Sequence, residues 1–136
     1  MLTPVNSPGG AFPGVSQAMQ ISGGDLLILS GHVGSDANGD LVQGGFEAQL
    51  RQTYENLKAT LRAAGVGFEA VARMTHYVSQ FDPSLLPILR KVRAEFINND
   101  APPSAALIPV VQLYDKAVLV EVDDGFAVLP SKTRIS

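Results

Sequence analysis

Between Gly45 and Ala64, "GFEAQLRQTYENLKATLRAA", the apolar residues begin to recur at spacings of three and four, and this change of period constrains the fold more than any other feature. Phe46, Leu50, Tyr54, Leu57 and Leu61 form one stripe, with Glu47, Arg51, Glu55, Lys58 and Arg62 on the other side. The spacing predicts an amphipathic helix that Gly65 ends, because a helix C-terminus favours a residue that reaches positive φ without strain. The segment has to lie against something apolar, and the strands around it supply that surface.

Upstream, "VSQAMQI" and "LLILSG" flank "SGGD", two apolar runs split by a Gly-Gly turn that read as a hairpin. "DANGD" at 36–40 is a second turn, rich in residues that tolerate left-handed backbone. Downstream, Val71 to Val78 is β-branched and aromatic enough for a strand. Asp82 and Pro83 then open a second helix running through "SLLPILRKVRAEFIN", whose Leu85, Leu86, Leu89, Val92 and Phe96 make one face. After "APP" come "AALIPVV" and "AVLVEVDDGFAVL", two further strands. The order β-β-α-β-α-β-β predicts an α+β domain, a single sheet with two helices on one face. All 136 residues form one domain in this reading, with 1–14 as an irregular N-terminal arm and 129–136 as a flexible C-terminal tail.

Composition narrows the function classes. Ten Lys and Arg against 13 Asp and Glu give a net charge of −3, which provides no electrostatic footprint for nucleic acid. The absence of cysteine excludes a disulfide framework, a thiolate metal site and a cysteine nucleophile. His32 and His76 stand on different elements without ligand spacing, so no metal site is expected. Nothing approaches the ~20 apolar residues of a membrane helix, and "MLTPVNSPGG" does not read as a signal peptide, so a cytoplasmic protein is expected. With 17% charged residues, extra surface is expected to be buried between subunits.

"VSQAM", "LILSGHVG", "QLRQTYENLKATLRAAG", "VARMTHYV", "VRAEFI" before "APPSA", and "LVEVD" occur in an order that resembles the YjgF/RidA family of reactive-intermediate deaminases over residues 11–128. The resemblance implies a chorismate-mutase-like fold assembled as a homotrimer, with clefts between neighbouring subunits. It also implies cofactor-independent hydrolysis of enamines and imines to carbonyl compounds and ammonia.

Carried over by position, Gly31 matches the strand-end glycine bordering the cleft and Glu121 the acidic residue that positions water. Ser16 matches the serine of the family's "YSQA" segment, and Val15 replaces its tyrosine. Where deaminating members carry an arginine for the substrate carboxylate, this chain has Ser104, Ala105 and Ala106. A charge-assisted contact of that kind contributes ~1.5–3 kcal/mol, so its loss predicts an altered substrate preference.

Each of these residues also has a plain structural role open to it. By alternation alone Glu121 is an exposed strand residue, and His32 either donates to a ligand or holds a loop. His76 reads as a packed or interface residue, and Tyr114 and Lys116 as a loop pair facing solvent or a neighbouring subunit. Arg90 and Arg93 are either solvated helix charges or a replacement for the missing cation. Three functions remain open: a deaminase of altered preference, a non-catalytic trimer that binds a small molecule or a protein, and an endoribonuclease or translation inhibitor.

Overall fold

The computed structural model describes residues 1–10 and 12–131. The order is β1 (Leu2–Val5), β2 (Ala18–Ile21), β3 (Asp25–Ile28), β4 (Gly31–His32), α1 (Gly45–Ala63), β5 (Val71–Ser79), α2 (Leu85–Ala94), β6 (Ser104–Val110) and β7 (Val120–Leu129). The main sheet runs β3-β7-β5-β6, and β4 continues β3 along the same edge of β7. β7 is antiparallel to its neighbours, whereas β5 and β6, joined through α2, are parallel. This is the expected α+β architecture, with both helices against the sheet.

Alternation fixes which residues meet the helices. Met74, Val78, Val120 and Val122 are buried with Leu50, Tyr54, Leu57 and Leu61 of α1 and Leu89 and Val92 of α2 in one cluster. Burying each large aliphatic side chain stabilises by roughly 1.5–3 kcal/mol, so the α1 stripe holds that helix to the sheet. Helix α1 ends as its sequence predicts. Gly65 takes φ 84°, its N–H bonds the Arg62 carbonyl, and the Val66 N–H bonds that of Leu61.

Four expectations are corrected. Residues 1–14 are not wholly irregular, because Leu2–Val5 pairs antiparallel with Ala18–Ile21. The reversal at Gly23 and Gly24 therefore does not close a hairpin: β3 pairs with β7, where Leu27 faces Ala127 in the core, a partner more than ninety residues away. Helix α2 is shorter than expected at both ends. The Asp82 carboxylate accepts the Ser84 N–H before the helix starts, and beyond Ala94 the chain tightens into a turn with Phe96 N–H on the Arg93 carbonyl. Pro87 falls in the first turn, where its missing N–H leaves no intrahelical bond unmade. At the C-terminus, Leu129 belongs to β7, and positions 132–136 lie outside the described residues.

Candidate functional site

The double proline shows how the two ends of the chain are joined. Proline lacks an N–H but keeps its carbonyl. The Ser16 hydroxyl donates to the Pro102 carbonyl and the Ser16 N–H to that of Pro103 at 3.1 Å. Ser104 donates its hydroxyl to the Ala72 carbonyl at 2.9 Å, tying the start of β6 to β5. Ser16 and Ser104, both expected to line the cleft, thus have their hydroxyls engaged inside the fold. They position the N-terminal segment along β6.

One group of the positions expected to form the site lies on β4 and β7. Glu121 pairs across the ladder with Tyr77, while its neighbours Val120 and Val122 point into the core, so its carboxylate lies on the face away from the helices. It folds against Gly31: a Cβ on that residue would overlap the Glu121 carboxylate oxygen. Glycine leaves the room that the Glu121 side chain occupies here, and its backbone angles are not the reason for it.

Helix α1 holds β4 in place through polar side chains that the helical pattern alone does not single out. His32 bonds the Ser30 carbonyl through Nδ1 at 2.9 Å and the Thr60 hydroxyl through Nε2 at 2.8 Å. A carbonyl only accepts, so Nδ1 carries the proton and Nε2 accepts from Thr60. The Asn56 amide donates to the carbonyls of Val33 and Ser35 at 2.9 and 2.8 Å. Of its two open readings, His32 takes the loop-holding one in this structure. Asn56 and Thr60 look like ordinary polar helix residues until the β4 loop is laid beside them.

The second group surrounds a cavity of about 230 Å³ between β6, α2 and the N-terminal segment, which brings together Val15, Arg90, Arg93, Ala105 and Ala106 with Phe12 and His76. Gly31 and Glu121 do not border it. The reason lies in the sheet: His76 and Tyr77 are adjacent on β5, and His76 points to the helices while Tyr77 lies beside Glu121 on the other face. Within one chain, the arginines and the carboxylate are therefore separated by the sheet.

Electrostatics distinguish this cavity. His76 is 1% exposed, its Nε2 shares a 2.7 Å hydrogen bond with the Tyr54 hydroxyl, and the Ala106 backbone engages it as well. Burial, reinforced by the nearby Arg93 charge, lowers its pKa to about 3, so the imidazole is neutral. Arg93 is 7% exposed, and burial likewise disfavours its charge. The solvated reading of Arg93 is thereby overturned. Arg90 is exposed at the cavity rim. No cluster of three or more His, Asp or Glu suited to a metal occurs among the described residues.

With this geometry in hand, comparison with known proteins is informative. The model of the family described as endoribonuclease L-PSP matches residues 10–128. The chain belongs to this family, the YjgF/RidA family. Protein DfrA of Myxococcus xanthus is 35% identical over 109 residues, covering 79% of this chain and 80% of the relative. A 2-iminobutanoate/2-iminopropanoate deaminase of Dermatophagoides farinae is 27% identical over 109 residues, 79% of this chain and 80% of that protein. Among solved structures, a Rid family protein of unknown function from Yersinia pestis superposes with a TM-score of 0.83 at 30% identity, covering 94% of this chain and 98% of the other. RidA from the Antarctic bacterium Psychrobacter gives 0.69 at 27% identity, covering 91% and 93%. The fold and family read from the sequence are those found. No helix among the described residues is long and apolar enough to cross a membrane.

Proposed function

We propose that this chain hydrolyses reactive imines or enamines to a carbonyl compound and ammonia, without a cofactor, in clefts between the subunits of a cytoplasmic homotrimer. The observation that carries the reading is the Glu121 carboxylate set against the bare backbone of Gly31 on the helix-free face of the sheet. A ligand brought to that face meets an acid and exposed main chain together.

In this reading Glu121 accepts a proton from water as the water oxygen bonds to the imine carbon. Glu121 returns that proton to the nitrogen, giving a carbinolamine, then takes the carbinolamine hydroxyl proton and passes it to the amino group, so that the carbon–nitrogen bond breaks and ammonia leaves as the carbonyl forms. One water is consumed, and Glu121 ends as it began. The trimer is supported by Leu26, Ile28, Phe126 and Ile108, four sheet residues 42–71% exposed in the single chain. Ile28 and Phe126 sit opposite each other in the β3–β7 ladder. Pairing the Glu121 face of one subunit with the β6 edge of the next would unite the two groups that one chain keeps apart.

The test is ammonia and keto-acid release from imino acids generated in situ by an amino-acid oxidase, across short, long and aromatic side chains. The native protein accelerates release over the buffer blank, and Glu121→Ala abolishes the acceleration while light scattering still reports a trimer. An intact trimer without acceleration on any substrate would replace this reading with that of a non-catalytic binder.

A further inference from the structure

Arg93 is the most poorly satisfied charged group among the described residues. Its Nε is buried without a hydrogen-bond partner, and among the described residues its hydrogen bond runs from Nη2 to the Pro13 carbonyl at a long 3.4 Å. No carboxylate lies in ion-pair range of it among the described residues, and the charged group that bears on it besides Tyr54 is another cation, Arg90. A guanidinium does not shed its proton in proteins, so burial without an anion is costly. The surroundings accommodate the group but do not neutralise it. A Cβ on Gly14 would come within 3.0 Å of Nη2, so glycine is what lets the N-terminal segment pass over it. Neighbouring His76 is held neutral with its hydrogen bonds directed to Tyr54 and Ala106, and supplies no negative charge.

The remaining walls are apolar. Phe12, Val15, Leu86 and Leu107 border the same cavity. At about 230 Å³ it is several times the ~30 Å³ share of one water molecule, more than a lone small anion needs. A buried cation beside aliphatic and aromatic walls matches a molecule with one anionic end and an apolar body. A planar carboxylate presents two oxygens to the guanidinium fork with a single charge to desolvate, which favours it over a dianionic phosphate.

We infer that this cavity binds a small monocarboxylate with a branched or aromatic side chain, Arg93 holding the carboxylate from helix α2 and Arg90 assisting at the rim. The inference deepens the hydrolase reading, in which the ligand is a 2-imino acid, yet its test does not depend on turnover.

Calorimetric titration with 4-methyl-2-oxopentanoate, 3-phenylpropanoate, 3-phenylpropanamide, pyruvate and inorganic phosphate decides it. The two larger carboxylates bind, pyruvate binds at least tenfold more weakly, and the amide and phosphate give no saturable heat. Arg93→Gln weakens carboxylate binding more than tenfold, and Arg90→Gln by less. Arg93→Met raises the Tm of the ligand-free protein, because an uncompensated buried charge has been removed. Should the Arg93 variants fail to fold, Ala106→Leu fills the cavity with Arg93 intact and blocks binding. Equal affinity for the amide, tighter binding of phosphate, or undiminished carboxylate affinity in Arg93→Gln overturns the site. So does a change in oligomeric state alone, which would make Arg93 a contact for a carboxylate of a neighbouring copy.

Discussion

The Gly31–Glu121 pair and the Arg93 cavity are built from opposite materials. The first is an open acidic position in which a side chain leans on bare backbone at a sheet surface. The second is a pocket with apolar walls in which a cation and a neutral histidine are kept from water. The carboxylate of the first is half-exposed at a sheet surface, whereas the cation of the second is held where burial disfavours its charge. Chemistry that uses the carboxylate and the cation together needs the two faces of the sheet brought to one place. A single copy of this fold does not do that.

Gly31→Ala is expected to give the largest effect on the first region. The new methyl displaces the Glu121 carboxylate while the strand pairing of β4 remains. Imine hydrolysis should fall by ~10²-fold, the scale of a misplaced catalytic group, with Tm nearly unchanged. Steady-state ammonia release and a thermal melt on the same sample measure both. A melt that collapses with the activity would show that Gly31 serves packing and remove the contrast.

Tyr54→Phe probes the cavity side. The substitution leaves the ring, stacked at 5.1 Å on Phe96, and removes the hydroxyl paired with His76. Leaving a buried polar group unpaired costs ~1–3 kcal/mol, read as a lower denaturant midpoint. The matching change on the exposed side, Thr60→Val, should cost less, because His32 Nε2 is left nearer water.

The cavity side also carries a pH dependence. His76 has its pKa lowered in the folded chain to about 3, so the unfolded chain binds its proton first. Stability from this group is complete above about 6.5 and is lost as pH falls toward the folded value, by at most ~1.4 kcal/mol per pH unit. His76→Gln should flatten the denaturation free energy between pH 6.5 and 5. An unchanged pH dependence in His76→Gln would mean that His76 opens to solvent more readily than its packing implies.

How much of this was legible in the sequence depends on distance along the chain. The α1 stripe and the Gly65 stop depend on residues a turn or two apart, and β5 on local composition, so all three emerged from reading alone. Family membership rested on ordered motifs covering nearly the whole chain, and it brought Gly31 and Glu121 with it. The β1–β2 pairing and the missing β2–β3 hairpin did not emerge, because strand partners are chosen by burial between distant segments. Arg93 was ambiguous for the same reason. Its spacing on α2 suits a solvated charge as well as a buried one, and only the N-terminal segment, pinned over the cavity by Ser16 on two proline carbonyls, closes it off. Local periodicity determined the elements and their order. Long-range packing decided which polar groups lost their water, and that loss of solvation, invisible in a list of residues, distinguishes the two arginines of α2.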